Sequence, residues 1–159
     1  KYFREKNLDN VVVVSPDVGG VSRARQMSEQ LEAQLAIIDK RRPAPNVSEV
    51  MHVIGDVRGA TCIVIDDIID TGGTIVNGAE ALMKAGAHEV YACCSHPVFS
   101  HPANERLENS SLTEVVVTNT IPLEPEKRTP KMKVLSVAPL FAEAIRRIVD
   151  EVSVSVLFD

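Results

Sequence analysis

The run Asp66-Asp67-Ile68-Ile69-Asp70-Thr71-Gly72-Gly73-Thr74 sets three carboxylates just ahead of two hydroxyls and two glycines. Thr71 to Thr74 stand where a helix is expected to begin. Their backbone N–H groups lack helical partners there, and glycine lets an anion approach the chain closely. Orphan donors and the helix dipole together make a phosphate cradle. Asp66, Asp67 and Asp70 would repel a phosphate. They suit sugar hydroxyls, whose protons carboxylates accept, or a hard divalent cation. The combination describes a sugar phosphate, with carboxylates on the ring hydroxyls and the cradle on the phosphate. The plain alternative is an acidic turn with Thr74 capping the helix.

Two further stretches carry chemistry. Ser15-Pro16-Asp17-Val18-Gly19-Gly20 also joins an expected strand to an expected helix. Its glycines free backbone N–H groups for an anion, and Asp17 is placed to hold a metal beside it. A glycine turn with Asp17 as a cap is the alternative. Asp39-Lys40-Arg41-Arg42-Pro43-Ala44-Pro45-Asn46 puts three cations in a row on a chain of net charge -5. Phosphoryl transfer needs such cations, because charge spreads over equatorial oxygens in the transition state. A solvated basic turn is the alternative.

Other chemistries lack their residues. There is no Gly-x-x-x-x-Gly-Lys loop and no Gly-x-Gly-x-x-Gly. His96 and His101 flank Pro97 without a helical metal-ligand spacing and read as loop or core histidines. Arg23 and Arg25 could reach an anion, though helix-surface ion pairs suit them better. Cys62, Cys93 and Cys94 form no Cys-x-x-Cys pair and read as reduced, buried thiols.

These loops need a frame. Val11 to Val14 is a β-branched run, read as a buried strand. A helix is expected over 21–35, a strand over 36–38 and a polar loop over 40–48. Strands are also expected over 50–54 and 62–65. A helix over 75–85 should stop at Gly86. Further strands are expected over 90–94, 114–118 and 133–136, with a short helix over 102–108. Pro139 opens a last helix with Leu140, Phe141, Ala144, Ile145, Ile148 and Val152 on its apolar face. Continuously apolar strands alternating with helices mark a mostly parallel sheet covered on both faces. Ligands of such sheets bind beyond the carboxyl ends of the strands. The loops after Val14, Ile38 and Ile65 should therefore converge.

The composition agrees with an α/β domain. The 159 residues are 45% hydrophobic and 25% charged, the balance of a soluble globular domain. A net charge of -5 and 4% aromatic residues without Trp argue against a nucleic-acid surface. No apolar run is long enough for a membrane helix. The start at Lys1 rather than Met suggests processing or further chain upstream.

Val11 to Arg25, Asp39 to Asn46 and Val64 to Thr74 together resemble the ribose-phosphate pyrophosphokinases, or phosphoribosyl pyrophosphate synthetases. The likeness is to their C-terminal half and runs from Lys1 to Val154-Ser155-Val156-Leu157-Phe158. The acid cluster with its Thr-Gly-Gly-Thr turn is shared more widely, with type I phosphoribosyltransferases. The resemblance implies one type I phosphoribosyltransferase-like domain over 1–159. It also implies that the 1-hydroxyl of ribose 5-phosphate attacks the β-phosphorus of ATP, giving phosphoribosyl pyrophosphate and AMP. Arg42, Asp66, Asp67, Asp70, Thr71, Gly72, Gly73 and Thr74 would hold ribose 5-phosphate. Lys40 and Arg42 would be catalytic, closing over the phosphates. Ser15, Asp17, Gly19 and Gly20 would form a pyrophosphate loop, with Asp17 a ligand of Mg2+. The setting would be cytoplasmic and the assembly a homo-oligomer, with neither nucleic acid nor membrane as partner. Family members carry an upstream half that supplies most of the ATP pocket. A non-catalytic fragment or partner subunit that binds ribose 5-phosphate is the alternative function. A phosphoribosyltransferase fits the cradle but not the other two motifs.

Overall fold

β-Branched residues pack well on a pleated surface but lose rotamer freedom in a helix. Val11–Ser15 accordingly forms a strand, β1, and Val12, Val13 and Val14 are buried. A computed structural model describes residues 1–41 and 50–157, apart from the side chains of Arg41 and Val50. The further strands are β2 (Gln34–Arg41), β3 (Val50–Ile54), β4 (Thr61–Ile69), β5 (Glu89–Pro97), β6 (Glu114–Thr118) and β7 (Met132–Leu135). The helices are α1 (Tyr2–Glu5), α2 (Val21–Leu31), α3 (Gly73–Lys84), α4 (Ala103–Glu108) and α5 (Ala138–Val149). The sheet has seven strands in the order β3-β2-β1-β4-β5-β6-β7. Every neighbouring pair is parallel except β2 with β3.

Strand alternation sorts the core onto two faces. On one face Val12, Val14, Cys62, Val64, Ala92 and Val117 pack with Ile75, Ala79 and Leu82 of α3 and with Leu107 of α4. On the other, Ile63, Tyr91, Cys93 and Val116 meet Met27 and Leu31 of α2 and Tyr2 and Phe3 of α1. Gly78 lets α3 press onto β2, since a side chain there would start 3.0 Å from Ile38 Cδ1. The short α1 is pinned by charge as well as by its two aromatic rings. Lys6 Nζ lies 2.7 Å from Glu114 Oε2, and the Tyr2 hydroxyl donates to the same carboxylate. Phe3 meets the Tyr91 ring edge-on at 6.1 Å.

Several boundaries differ from the sequence expectation. The helix expected over 21–35 stops at Leu31, because Glu32 turns left-handed (φ 53). β2 then runs over Gln34–Arg41 rather than 36–38, so Lys40 stands on a strand and not in the polar loop. β2 reaches that far because β3 pairs with it antiparallel, with Lys40 opposite Met51. The rest of that loop, with Arg42, Pro43, Pro45 and Asn46, lies outside the described residues. β4 carries Asp66 and Asp67 within its ladder, where Asp66 pairs with Cys94. α3 stops as expected, with Gly86 at φ 97 just beyond its C-cap Ala85. Cys62, Cys93 and Cys94 are buried free thiols. Burial pushes Cys62 up to about 11 and Cys93 and Cys94 up to about 12.

α5 forms where the pattern put it, with Pro139 in its first turn. Its apolar stripe is not buried, however. Phe141 is 59% and Ile148 67% exposed, and no α5 residue is buried. Among the described residues no helix is long and apolar enough to cross a membrane.

These two kinds of apolar residue should respond differently to truncation. Leu82→Ala leaves a cavity under α3 and should cost about 2–5 kcal/mol. Ile145→Ala on the solvated stripe should cost under about 0.5 kcal/mol. Urea unfolding followed by circular dichroism compares the two, and equal losses would contradict this placement of the core.

Candidate functional site

β1 lies between β2 and β4, both parallel to it. The chain leaves β1 toward α2 on one face and leaves β4 toward α3 on the other. That divergence opens a crevice at the carboxyl ends of the strands, where doubly wound sheets bind ligands. Both glycine-bearing loops stand there.

The β1 loop is built by short-range hydrogen bonds. The Gly20 N–H donates to Asp17 Oδ1 at 2.9 Å, and the Ser15 hydroxyl donates to the Asp17 carbonyl at 2.6 Å. A side chain on Gly20 would begin 2.9 Å from Ser15 Oγ and would push that hydroxyl out of its bond to Asp17. Gly19 is exposed, as the expected anion loop requires. Asp17 is half-buried, and a carboxylate has about four lone-pair sites. It thus keeps acceptor capacity for a cation beyond the Gly20 bond. Among the described residues no group of three or more His, Cys, Asp or Glu could by itself hold a metal. A Mg2+ ion commonly takes one or two carboxylates and completes its shell with phosphate oxygens and water. Asp17 fits that role.

The β4 loop holds the acid cluster. Arg23, on the first turn of α2, donates from Nη1 to Asp66 Oδ1 at 2.9 Å and from Nη2 to Asp67 Oδ2 at 2.7 Å. Asp66 Oδ1 also accepts from the Asp67 N–H at 2.9 Å. Burial pushes the Asp66 carboxyl up, and the adjacent Asp67 adds to this. For Asp67, burial pushes up, but its hydrogen bond with Asp66 and the Arg23 charge together outweigh it and hold the carboxyl below the usual range. One cation thus restrains two adjacent carboxylates, whose hold on a proton is pushed in opposite directions. The sequence left Arg23 as a helix-surface cation. Its bridge to β4 is a contact that only the packing of α2 produces.

Beyond the acids, Asp70, Thr71 and Thr74 are exposed and Gly72 is buried. Gly72 takes φ 75 and caps α3 without any side-chain bond, so Thr74 is not the cap. Asp66 and residues 68–75 line a hollow of about 160 Å³. The end of β4 is held rigid, since the N–H groups of Val98 and Phe99 both donate to the Ile69 carbonyl at 3.1 and 3.2 Å. A larger cavity of about 420 Å³ lies under α1 and α2 and reaches Asp66 and Arg23 at its rim. Its lining is mostly apolar, whereas the polar donors and acceptors converge on the smaller hollow.

Lys40 is partly buried near the end of β2. Ser15 pairs with Ile37, so Lys40 reaches roughly 10 Å beyond the end of β1, at about 3.3 Å per residue. It therefore rises on the crevice side of the sheet. Arg42 lies outside the described residues. His96 and His101 are both exposed, so neither is a core residue. His96 is the penultimate residue of β5, with Nδ1 3.0 Å from Thr120 Oγ1. The Thr118 and Thr120 hydroxyls both donate to the Ser95 carbonyl. No motif marked this hydroxyl-rich edge, because single Thr and Ser residues carry no spacing signal.

Removing the shared cation should move both carboxylates. Arg23→Ala should raise the pH midpoints of Asp66 and Asp67, since loss of a nearby positive charge disfavours ionisation. Solvent screening keeps the rise modest for this partly exposed pair. Carboxyl-carbon NMR titration measures it, and unmoved midpoints would contradict the bridge.

Similarity to known proteins follows the same residues. A family described as the phosphoribosyl synthetase-associated domain matches residues 40–159. The ribose-phosphate pyrophosphokinase of Clostridium acetobutylicum is 63% identical over 160 residues, taking in 99% of this chain and 50% of that protein. That of Clostridium tetani is 60% identical over 162 residues, with 100% and 51% covered. The chain spans about half the length of the curated relatives it matches. The crystal structure of phosphoribosylpyrophosphate synthetase from Mycobacterium smegmatis is similar with a TM-score of 0.86 and 43% identity, over 94% of this chain and 49% of that one. A purine phosphoribosyltransferase from Pyrococcus horikoshii shares the fold, with a TM-score of 0.53 at 22% identity, over 85% of this chain and 79% of that one. With the family match covering most of its length, including all of β4 and the acid-and-glycine turn, the chain belongs to the phosphoribosyl synthetase-associated domain family.

Proposed function

We propose that this chain is the sugar-phosphate-binding half of a ribose-phosphate pyrophosphokinase. The whole enzyme transfers the pyrophosphoryl group of ATP to the 1-hydroxyl of ribose 5-phosphate. The observation that carries the reading is the single hollow lined by Asp66, Asp70 and the Thr71–Thr74 turn. Hydroxyl acceptors and anion donors stand there side by side, as a sugar phosphate requires. The names of the relatives point to the same substrate class.

The roles follow from chemistry. The turn from Thr71 to Thr74 holds the 5-phosphate through backbone N–H groups and two hydroxyls. Asp66, Asp67 and Asp70 accept hydrogen bonds from the ribose hydroxyls. Ser15, Asp17, Gly19 and Gly20 receive the pyrophosphate, with Asp17 the residue that holds Mg2+. When bound, that ion neutralises phosphate charge. The 1-hydroxyl oxygen gives its proton to solvent and forms a bond to the β-phosphorus, the bond from that phosphorus to the oxygen shared with the α-phosphate breaks, and AMP leaves with that oxygen. No covalent enzyme intermediate is needed, so positioning and cation stabilisation supply the catalysis. Lys40, with Arg42 beyond it, provides the cations. ATP, Mg2+, a homo-oligomeric assembly and a cytoplasmic setting belong to this same proposal.

The second reading is a chain that binds ribose 5-phosphate without turning ATP over. The half-length match to the relatives favours it for the chain by itself. Phosphorus NMR of the purified chain with Mg2+, ATP and ribose 5-phosphate separates the two. Appearance of AMP and phosphoribosyl pyrophosphate establishes turnover. A shifted ribose 5-phosphate resonance without products establishes the binding half. An unaltered resonance refutes both. Where turnover is seen, Lys40→Ala should lower it by about a hundredfold or more. The dissociation constant of ribose 5-phosphate should stay within about twofold, because a contact made only in the transition state leaves substrate affinity alone.

A further inference from the structure

Arg106 belongs to none of the loops described above and lies 35 residues beyond Thr71 in the chain. It sits on α4, which backs the acid-and-glycine turn from outside. A side chain starting at Gly72 would meet Leu107 Cγ at 3.6 Å and the Ala103 backbone at 3.7 Å. α4 thus lies directly behind the turn, one methyl group's width away. From that helix Arg106 Nη1 donates to the Thr71 carbonyl at 3.1 Å. The same nitrogen is 3.5 Å from the point where a Gly73 side chain would begin.

The hollow on the ligand side is lined by Asp66 and residues 68–75, and Arg106 is not part of that wall. It acts on the far side of the turn. A trans peptide is planar, with its C=O and N–H on opposite sides. Holding the Thr71 carbonyl toward Arg106 therefore directs the Gly72 N–H away from α4. Gly72 sits at φ 75, a conformation open to glycine that leaves this peptide free to rotate unless something holds it. α3, whose N-cap is Gly72, is a full-length helix of 12 residues. The orientation of this peptide thus sets the first donor of its N-terminus.

We infer that Arg106 is a positioning residue for the phosphate-binding turn, holding the Thr71–Gly72 peptide with its N–H toward the bound phosphate. The inference rests on the sugar-phosphate reading of the hollow. Arg106 is solvent-exposed, so its hydrogen bond to the carbonyl is worth a modest factor in affinity. Truncating it should weaken ribose 5-phosphate binding about three- to tenfold.

The test uses the nitrogen-15-labelled chain, R106A and R106K. In R106A without ligand, the Gly72 and Gly73 amide resonances should shift while the thermal midpoint stays within a few degrees. The dissociation constants of ribose 5-phosphate and of inorganic phosphate should rise by a similar factor. R106K should recover part of the loss, since an ammonium can also donate to a carbonyl. An unmoved Gly72 amide in R106A overturns the inference. So does a moved amide with unchanged affinity for both probes. If the unsubstituted chain binds neither probe while R106A still moves the Gly72 amide, the sugar-phosphate reading fails first and this inference fails with it.

Discussion

β1 and β4 are hydrogen-bonded neighbours, with Val11 to Val14 in register with Thr61 to Val64. The chain leaves them toward opposite faces of the sheet, α2 after β1 and α3 after β4. Two adjacent strands whose continuations diverge cannot cover the space above their carboxyl ends. Both glycine-bearing loops open into that space, as do the acids. The constraint is topological, but side chains enforce it. β1 has valine on both faces, and those faces fill only if a helix lies over each.

Within the crevice the electrostatics are arranged around repulsion. Asp66 and Asp67 are consecutive, and like charges so close disfavour joint ionisation. Arg23 reaches across from α2 and takes one oxygen of each. This ties α2 to the end of β4 and holds the two loops together. It also makes the pair adjustable. A further donor or cation beside the pair would add to the compensation that Arg23 supplies.

Behind the polar surface lies a stiff support. Ile69 is buried, and its carbonyl accepts from two successive N–H groups after β5. Gly78 lets α3 lie close on Ile38. α4 closes the outer side of the turn through Ala103, Leu107 and Arg106. The turn presents backbone dipoles, whose directions are set by such packing rather than by the turn's own side chains.

The sequence alone determined the elements and the chemistry that each loop could offer. A β-branched run reads as a buried strand because its side chains suit little else. An acid cluster followed by Thr71-Gly72-Gly73-Thr74 reads as a sugar-phosphate site because those groups accept from hydroxyls and donate to anions. Local preference could not place the helix end at Leu31, since a left-handed Glu32 has no strong residue signal. Nor could it carry β2 out to Lys40, since that extension depends on pairing with β3. Periodicity identified the apolar face of α5 but not whether that face is covered. Only the tertiary structure brought Arg23 onto Asp66 and Asp67 and Arg106 onto Thr71. Such contacts join residues far apart in the chain. Their geometry depends on how whole helices pack, and no spacing along the sequence encodes it.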